Sequence, residues 1–401
     1  MPFRSHSLGK HTGAVLLLVL TSGFVGGMVG IERTVLPLIA GADFGIASKE
    51  AAIAFIATFG ATKAVVNFFA GRLSERWGRR PVLLLGWLVG APVPLILMLA
   101  ESWSWILAAN VLLGVNQALT WSMTIVMKLD LAPPKSHGLV VGWNEFAGYA
   151  GMAAAAALTG WIASAHGLRP EPFYVGLGLV AGGLVLSWLA VETRPRPADG
   201  TSNRVEGETE PPSHLRIAYL SSVGHPTLSA ASVAGLATNL KDGALWGLLS
   251  ILLSARGLPI ARVGVVVALY PAVWAVSQLG LGPLSDRLGR KRLIVAGLLL
   301  QALGVGGFAV STSYAAYLAA AVITGIGTGM AYPTLQVLVA EVAGPAWRAS
   351  ALGVYRFWRD LGYAVGALGA GAIADAAGLT PAIGAVAVVV AVAAVVMWVR
   401  A

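Results

Sequence analysis

Nine ionisable side chains stand inside stretches otherwise built from Ala, Val, Leu, Ile and Gly: Glu32, Arg33, Lys63, Glu145, Lys241, Asp242, Arg356, Arg359 and Asp360. An ionisable group in hydrocarbon costs about 2.5–3.5 kcal/mol on insertion scales, so it persists where it pairs, faces a cavity or binds something. Two kinds of chemistry fit these residue types. Arginine and lysine hold an anion, and a carboxylate moved between wet and dry surroundings gains and loses a proton. Five cations against four anions leave a slight cationic excess. The excess favours a small organic or inorganic anion, with Arg33, Lys241, Arg356 and Arg359 as its ligands. Consecutive helix residues point about 100° apart. Glu32 and Arg33 are therefore not expected to fill one site together, nor are Lys241 and Asp242, and one of each pair needs a partner on another helix. Lys128 is set apart, because its long side chain is expected to snorkel to the membrane surface with Asp130.

Polar and aromatic residues at similar depth outline a pocket. Asn116, Gln117 and Trp121 fall in one apolar run, Asn239 and Trp246 in another, and Tyr270, Trp274, Gln278, Tyr332, Gln336 and Tyr355 in three more. Unpaired amides are costly in hydrocarbon, so Asn116, Asn239 and Gln336 are the more informative; for the aromatics, ordinary packing competes with ligand contact. The expected substrate contacts are Arg33, Asn116, Gln117, Trp121, Asn239, Lys241, Trp246, Tyr355, Arg356 and Arg359. Asp242 and Glu32 are the favoured proton sites, with permanent ionisation in a salt bridge as the competing reading. Glu145, beside Asn144, is the third candidate.

The elements that position these residues follow from composition. The chain has 401 residues, 57% hydrophobic and 11% charged, with 50 glycines and no cysteine; its mean hydropathy is +0.77. Soluble domains carry about 25% charged residues. This chain has too little polar surface for a soluble enzyme, a disulfide scaffold or a disordered segment. Apolar runs of about 20 residues suit helices across a bilayer of roughly 30 Å, and the ~10-residue alternation of a membrane β-barrel is absent. Twelve spans are expected, at 13–40, 48–70, 81–100, 104–128, 138–165, 172–191, 228–255, 262–284, 293–311, 314–340, 348–376 and 380–399. The first continues well past a signal-peptide core and is read as a retained span.

With a cytoplasmic N-terminus, 17 of the 27 Lys and Arg residues fall in cytoplasmic segments, against Lys49, Arg169, Arg256 and Arg262 outside. Both termini are therefore expected to be cytoplasmic, and the basic charge is a topology signal rather than a nucleic-acid one. Residues 193–227 form the long polar segment, which holds Pro195, Pro197, Pro211 and Pro212 with Glu206, Glu208 and Glu210 between them; a mobile cytoplasmic linker is expected, with a short helix over Ser213–Ser222. It separates 1–192 from 228–401, and the two parts repeat. Gly71-Arg72-Leu73-Ser74-Glu75-Arg76-Trp77-Gly78-Arg79-Arg80 matches Gly282-Pro283-Leu284-Ser285-Asp286-Arg287-Leu288-Gly289-Arg290-Lys291 at an offset of 211. Asp130 and Glu341, and Gly142 and Gly353, keep the same offset. Two six-helix bundles in parallel repeat are implied.

The doubled loop resembles the signature loop of the major facilitator superfamily, and the resemblance covers the whole chain. It implies an all-α membrane fold in which spans 1, 4, 7 and 10 line a central cavity. Gly71 and Gly282 then let spans 2 and 8 approach spans 11 and 5. Glu75 and Asp286 dock on the N-termini of those spans, near Ala346–Ser350 and Ser136–Val140. Arg76, Arg79, Arg287 and Arg290 hold the carboxylates and reach lipid phosphates, latching the cytoplasmic side. The alternative is a pair of loops that only set topology. Spans 2 and 11 touch in the family. Lys63 lies about 10 Å into span 2 and Asp360 about 18 Å into span 11, so a Lys63–Asp360 gating pair is expected. Two departures weaken the resemblance to ordinary multidrug exporters: Asn110 stands near a place where proton-coupled members carry arginine, and span 5 reads Gly148-Tyr149-Ala150-Gly151 without a glycine-proline pair.

The expected function is a secondary active transporter working by alternating access in the cytoplasmic membrane, proton-coupled, with a small anion as substrate. Drug efflux by proton antiport is the alternative, and a non-transporting receptor on the same fold the third. No enzyme is expected: no His–carboxylate metal pair or catalytic triad spacing appears, and the phosphate-binding GxxxxGK[ST] loop is absent. No cofactor or metal is implied. The partners are the solute, protons and the bilayer, and the working unit is expected to be a monomer.

Overall fold

A computed structural model describes residues 11–132, 137–193 and 213–401, except for the side chains at 68, 71, 72, 75, 137–139, 214, 279–287, 344–346, 348 and 349. Described residues before 193 form α1 (Thr12–Arg33), α2 (Leu36–Ala42), α3 (Lys49–Trp77), α4 (Arg79–Gly90), α5 (Pro92–Leu99), α6 (Trp103–Leu131), α7 (His137–His166) and α8 (Tyr174–Leu189). Then come α9 (His214–Tyr219), α10 (Pro226–Ala255), α11 (Ile260–Leu288), α12 (Arg290–Val310), α13 (Tyr314–Val342), α14 (Gly344–Ala377) and α15 (Leu379–Arg400). The expected spans 1 and 3 are each broken in two. Pro37 lies in the first turn of α2 and Pro92 in that of α5, where a residue without an N–H fits the start of a helix rather than its interior.

The protein is all-helical and built to cross a membrane. Among the described residues, nine helical stretches are long and apolar enough to do so. Three further helices are as long but less apolar: α3, α10 and α14, of 29, 30 and 34 residues. They hold Lys63, the Lys241–Asp242 pair, and Arg356, Arg359 and Asp360. These three helices carry six of the nine charges; Glu32 and Arg33 of α1 and Glu145 of α7 lie in the more apolar ones. Gly78 and Gly289 adopt φ of +92° and +85° between α3 and α4 and between α11 and α12, a region open to glycine. Ser213 caps α9 by accepting from the backbone N of Arg216; the rest of the linker, from 194 to 212, lies outside the described residues.

The helices up to α8 pack as one group and those from α10 onward as a second; the main seams between groups are α7 against α11 and α3 against α14. Within a group, glycine allows backbone-level contact: a Cβ on Gly26 of α1 would fall 1.8 Å from the Gly148 oxygen of α7. We call the membrane face holding the start of α1 and the end of α15 the terminal face, and the opposite one the far face.

The seams are closed on the far half. A Cβ on Gly160 of α7 would lie 2.9 Å from Gly264 Cα of α11, and one on Gly371 of α14 would lie 2.5 Å from Glu50 Cα of α3. Below these, Trp246 of α10 packs edge-on against Phe55 and Phe59 of α3 at 5.8 and 5.1 Å. Ser250 of α10 donates to the Arg33 carbonyl at 3.1 Å. On the terminal half a Cβ on Gly142 of α7 or Gly353 of α14 would meet nothing within 4 Å among the described residues.

Candidate functional site

Beneath the far-face seal lies a cavity at the seam between the groups, with about 50 Å³ for the centres of water molecules. Four helices supply most of its wall through residues one helical turn apart. They are Phe59, Lys63 and Asn67 on α3; Gln117, Trp121 and Ile125 on α6; Glu145, Tyr149 and Met152 on α7; and Arg356, Arg359 and Tyr363 on α14. Val29 of α1, Ser122 of α6, and Tyr332 and Gln336 of α13 complete the lining.

The charges in this cavity are unevenly satisfied. Arg359 pairs with its chain neighbour Asp360 at 2.7 Å. Asp360 also accepts from Asn67 at 3.1 Å across the seam and from Asn239 at 3.4 Å. Lys63 makes no ion pair or hydrogen bond among the described residues; its Nζ sits 5.6–5.7 Å from the ring centres of Phe59, Trp121 and Tyr363. The expected Lys63–Asp360 pair is therefore not formed. Arg359 is nearer to Asp360, and the lysine rests on aromatic faces instead. Arg356 likewise has no carboxylate within 4.0 Å among the described residues. Glu145 Oε1 accepts from Trp121 Nε1 at 3.1 Å and from Asn144 at 3.0 Å.

Several expected site residues stand elsewhere. Lys241 and Asp242 pair with each other at 3.0 Å, both fully buried. This corrects the expectation that neighbours 100° apart cannot share a site: the lysine stem is long enough to curl back around the helix. Tyr270 of α11 donates to Asp242 and accepts from Lys241, and Thr328 of α13 accepts from Lys241 at 2.9 Å. This cluster sits inside the second group, off the cavity wall.

Glu32 accepts from Asn110 at 3.2 Å between α1 and α6, while the Arg33 guanidinium lies 5.1 Å over the Trp246 ring in the far-face seal. Asn116 donates to the Gly86 carbonyl at 2.9 Å, and Asn239 serves Asp360 rather than the lumen. Tyr355 is buried against α10, where a Cβ on Gly235 would lie 2.6 Å from its ring. Lys128 does not snorkel. Fully buried, it donates to Ser22 Oγ at 2.7 Å and to the Leu18 carbonyl at 3.1 Å, because α1 offers acceptors nearer than the membrane surface. Asp130 instead accepts from Thr193 at 2.8 Å and faces Arg79 at 3.5 Å.

At the signature loops, Arg79 reaches Asp130 at 3.5 Å and Arg290 reaches Glu341 at 3.1 Å. Arg76 is exposed at the end of α3. The surroundings of Gly71, Glu75, Gly282, Asp286 and Arg287, and the proposed docking points near Ser136 and Ala346, lie outside the described residues. Glu192, which sequence reasoning passed over, accepts from the backbone N–H groups of Arg79 and Arg80 at 2.8 and 3.0 Å. It occupies the positive end of α4. Asn67, Ser122, Tyr149 and Tyr363 were also missed in the cavity. A signal for three of them existed: Asn67, Tyr149 and Tyr363 lie four residues after Lys63, Glu145 and Arg359, on the same helix faces.

With this geometry in view, the comparisons with known proteins agree on the class. The family model described as Major Facilitator Superfamily matches residues 15–240 and 227–401. An uncharacterized MFS-type transporter of Salmonella typhimurium, STM4428, is 26% identical over 352 residues, 84% of this chain and 83% of that one. The arabinose-proton symporter of Escherichia coli is 35% identical over 133 residues, covering 33% of this chain and 28% of its own. Among solved structures, a bacterial homolog of the human lysosomal transporter Spinster, in an inward-facing and unoccupied conformation, superposes with a TM-score of 0.77 at 16% identity. That match covers 97% of this chain and 96% of the other. The chain belongs to the Major Facilitator Superfamily, and it is a multi-pass membrane protein of the secondary-transporter class.

Proposed function

We propose that the protein carries a small anion across the cytoplasmic membrane by alternating access, coupled to protons. The observation that supports this most directly is the pair Lys63 and Arg356. Both line the cavity, neither has a carboxylate partner among the described residues, and they come from opposite helix groups. An anion bound between them draws α3 and α14 together. Binding energy is then available to a rocking motion of residues 1–192 against 228–401, with 193–227 as the tether. The excess of Lys and Arg at the terminal face argues that this face is cytoplasmic, so the sealed far half makes this the inward-facing state. Glu145 is the proton-coupling carboxylate in this reading, since it shares the cavity with Lys63. The proton coupling of the arabinose symporter is consistent with it. Glu32, bonded to Asn110, and Asp242, bonded to Lys241 and Tyr270, stand off the cavity wall and serve packing first.

Thermal stability of the purified protein against a ligand panel tests the reading. The panel holds small carboxylates, phosphate and sulfate on one side and lipophilic cations on the other. A ligand at 100 times its Kd adds about 2.7 kcal/mol. Stabilisation by anions that disappears in Arg356→Gln is expected. Stabilisation by lipophilic cations alone, lost in Glu145→Gln, rejects the anion reading in favour of drug efflux.

A further inference from the structure

We infer that the anion carried in this cavity is a planar aromatic monocarboxylate, an inference that rests on the anion reading above. Charge sets the first constraint. Lys63, Arg356 and Arg359 face the cavity, and the carboxylates beside them are Glu145 and Asp360, the latter bound to Arg359 at 2.7 Å. With Glu145 ionised, three cations against two carboxylates leave one positive charge, which one carboxylate neutralises; a proton on Glu145 strengthens the hold on the same monoanion.

The wall between the charges sets the second. Phe59, Trp121, Tyr149, Tyr332 and Tyr363 supply rings from both helix groups. Tyr149 is stacked on Trp274 at 3.5 Å, Trp121 meets Tyr149 at 5.5 Å, and Tyr332 stands edge-on to Tyr149 at 6.3 Å. The cations are set against these faces: Lys63 near three rings and Arg359 5.1 Å over Tyr332. A carboxylate drawn to Lys63 and Arg356 therefore brings its attached group among ring faces and edges. Aromatic pairs gain about 0.5–1.5 kcal/mol beyond area burial, so a flat unsaturated ring is preferred there over a saturated one.

The uncharged polar groups set the third. Asn67 is engaged by Asp360 and Ser122, and the Gln117 amide donates to the Val25 carbonyl and to Asn116. Gln336, which no described side chain engages, and Gln117 Oε1, which accepts no hydrogen bond among the described residues, remain open, enough for one polar substituent but fewer groups than the several a sugar ring needs. The volume of about 50 Å³ for water centres is several times the ~10–15 Å³ that one water requires. It suits a compact ligand over an extended one.

Isothermal titration calorimetry on the purified full chain in lipid nanodiscs tests the inference, with benzoate, cyclohexanecarboxylate, benzyl alcohol and phosphate as probes. Benzoate is expected to bind about tenfold more tightly than cyclohexanecarboxylate or phosphate, and benzyl alcohol not to bind. Lys63→Gln and Arg356→Gln each weaken benzoate about tenfold or more, while Lys63→Arg, which keeps the charge, retains it. A ligand-free melting temperature on each variant separates lost binding from lost folding. Cyclohexanecarboxylate or phosphate matching benzoate overturns the aromatic assignment and leaves the anion reading standing. Benzyl alcohol matching benzoate overturns both. No heat with benzoate overturns the inference, and the phosphate arm then decides the anion reading separately.

Discussion

Asp375, close to the far end of α14, accepts a 2.6 Å hydrogen bond from Ser48, the residue that caps α3. The backbone N–H groups of Lys49 and Glu50 donate to the same carboxylate, the latter at 3.1 Å. One side chain from the second helix group thus sits on the positive end of a helix in the first. This is the same device that the signature-loop carboxylates are expected to use at the opposite face. Opening of the far face would part these two helix ends, so the contact is expected to bias the equilibrium toward the present state.

Asp375→Ala is therefore expected to favour opening of the far face. Losing a helix cap costs about 0.5–2 kcal/mol, a shift of roughly a few-fold to thirty-fold in the ratio of the two states. Spin labels at Ala47 and Ala376, read by double electron–electron resonance, should show a longer-distance population growing in the variant. An unchanged distance distribution would show that the carboxylate decorates the closed state without holding it.

The seam between α7 and α11 makes a sharper case. Gly160 and Gly264 face each other so closely that a Cβ on Gly160 would lie 2.9 Å from backbone, and backbone cannot move aside as a flexible side chain can. Gly160→Val should block closure of the far half while leaving each helix group folded. Transport is expected to fall to background, with the melting transition still cooperative and the far-face label distances long. Normal transport by this variant would mean that the close approach is not needed for the cycle.

Lys241 and Asp242 offer a stability test apart from transport. Removing one member of a buried pair strands the other charge, at a cost of about 3–5 kcal/mol, whereas replacing both by apolar groups is often neutral. Lys241→Met and Asp242→Leu are each expected to lower the melting temperature markedly, and the double variant to recover most of the loss. Recovery of stability with loss of coupled transport would give the pair a functional role beyond packing.

Much of this arrangement was legible in the sequence, and the failures have physical causes. Apolar run length and the two signature loops pointed to a membrane transporter fold, because bilayer thickness and helix rise leave few alternatives. The nine charged residues do all lie within helices, as their apolar surroundings implied. Their partners were not. The fixed 100° step between neighbours suggested that Lys241 and Asp242 must part, but it describes Cβ directions, not the reach of a four-carbon stem. Lys128 turned inward for a similar reason: Ser22 and Leu18 lie within reach on α1, and no single-helix argument contains that helix. The cavity residues Asn67, Tyr149 and Tyr363 were readable as one-turn companions of charged residues. Asp375 gave no such sign, being an acidic residue near a helix end until its partner on α3 is seen.

Glu145 carries the last prediction. Its Oε1 accepts from Trp121 and Asn144; Asn144 accepts from Ser22 at 2.9 Å, and Ser22 accepts from the buried Lys128 at 2.7 Å. The carboxylate is thus fixed in place by neutral donors rather than by a cation, and it shares the cavity with Lys63, which has no ion-pair partner among the described residues. A proton on Glu145 raises the net positive charge of the cavity by one, which strengthens its hold on an anion. Loss of that proton weakens the hold and favours release. Glu145→Gln fixes the protonated charge state with little change in volume. In proteoliposomes this variant should lose accumulation driven by an imposed proton gradient but keep counterflow exchange of the same solute, because exchange needs no net proton movement. Lys128→Met, which cuts the polar chain without touching the carboxylate, should lower stability and leave gradient-driven accumulation measurable. Accumulation that persists in Glu145→Gln at the wild-type level would move the coupling role away from this cavity and toward the buried Asp242 cluster.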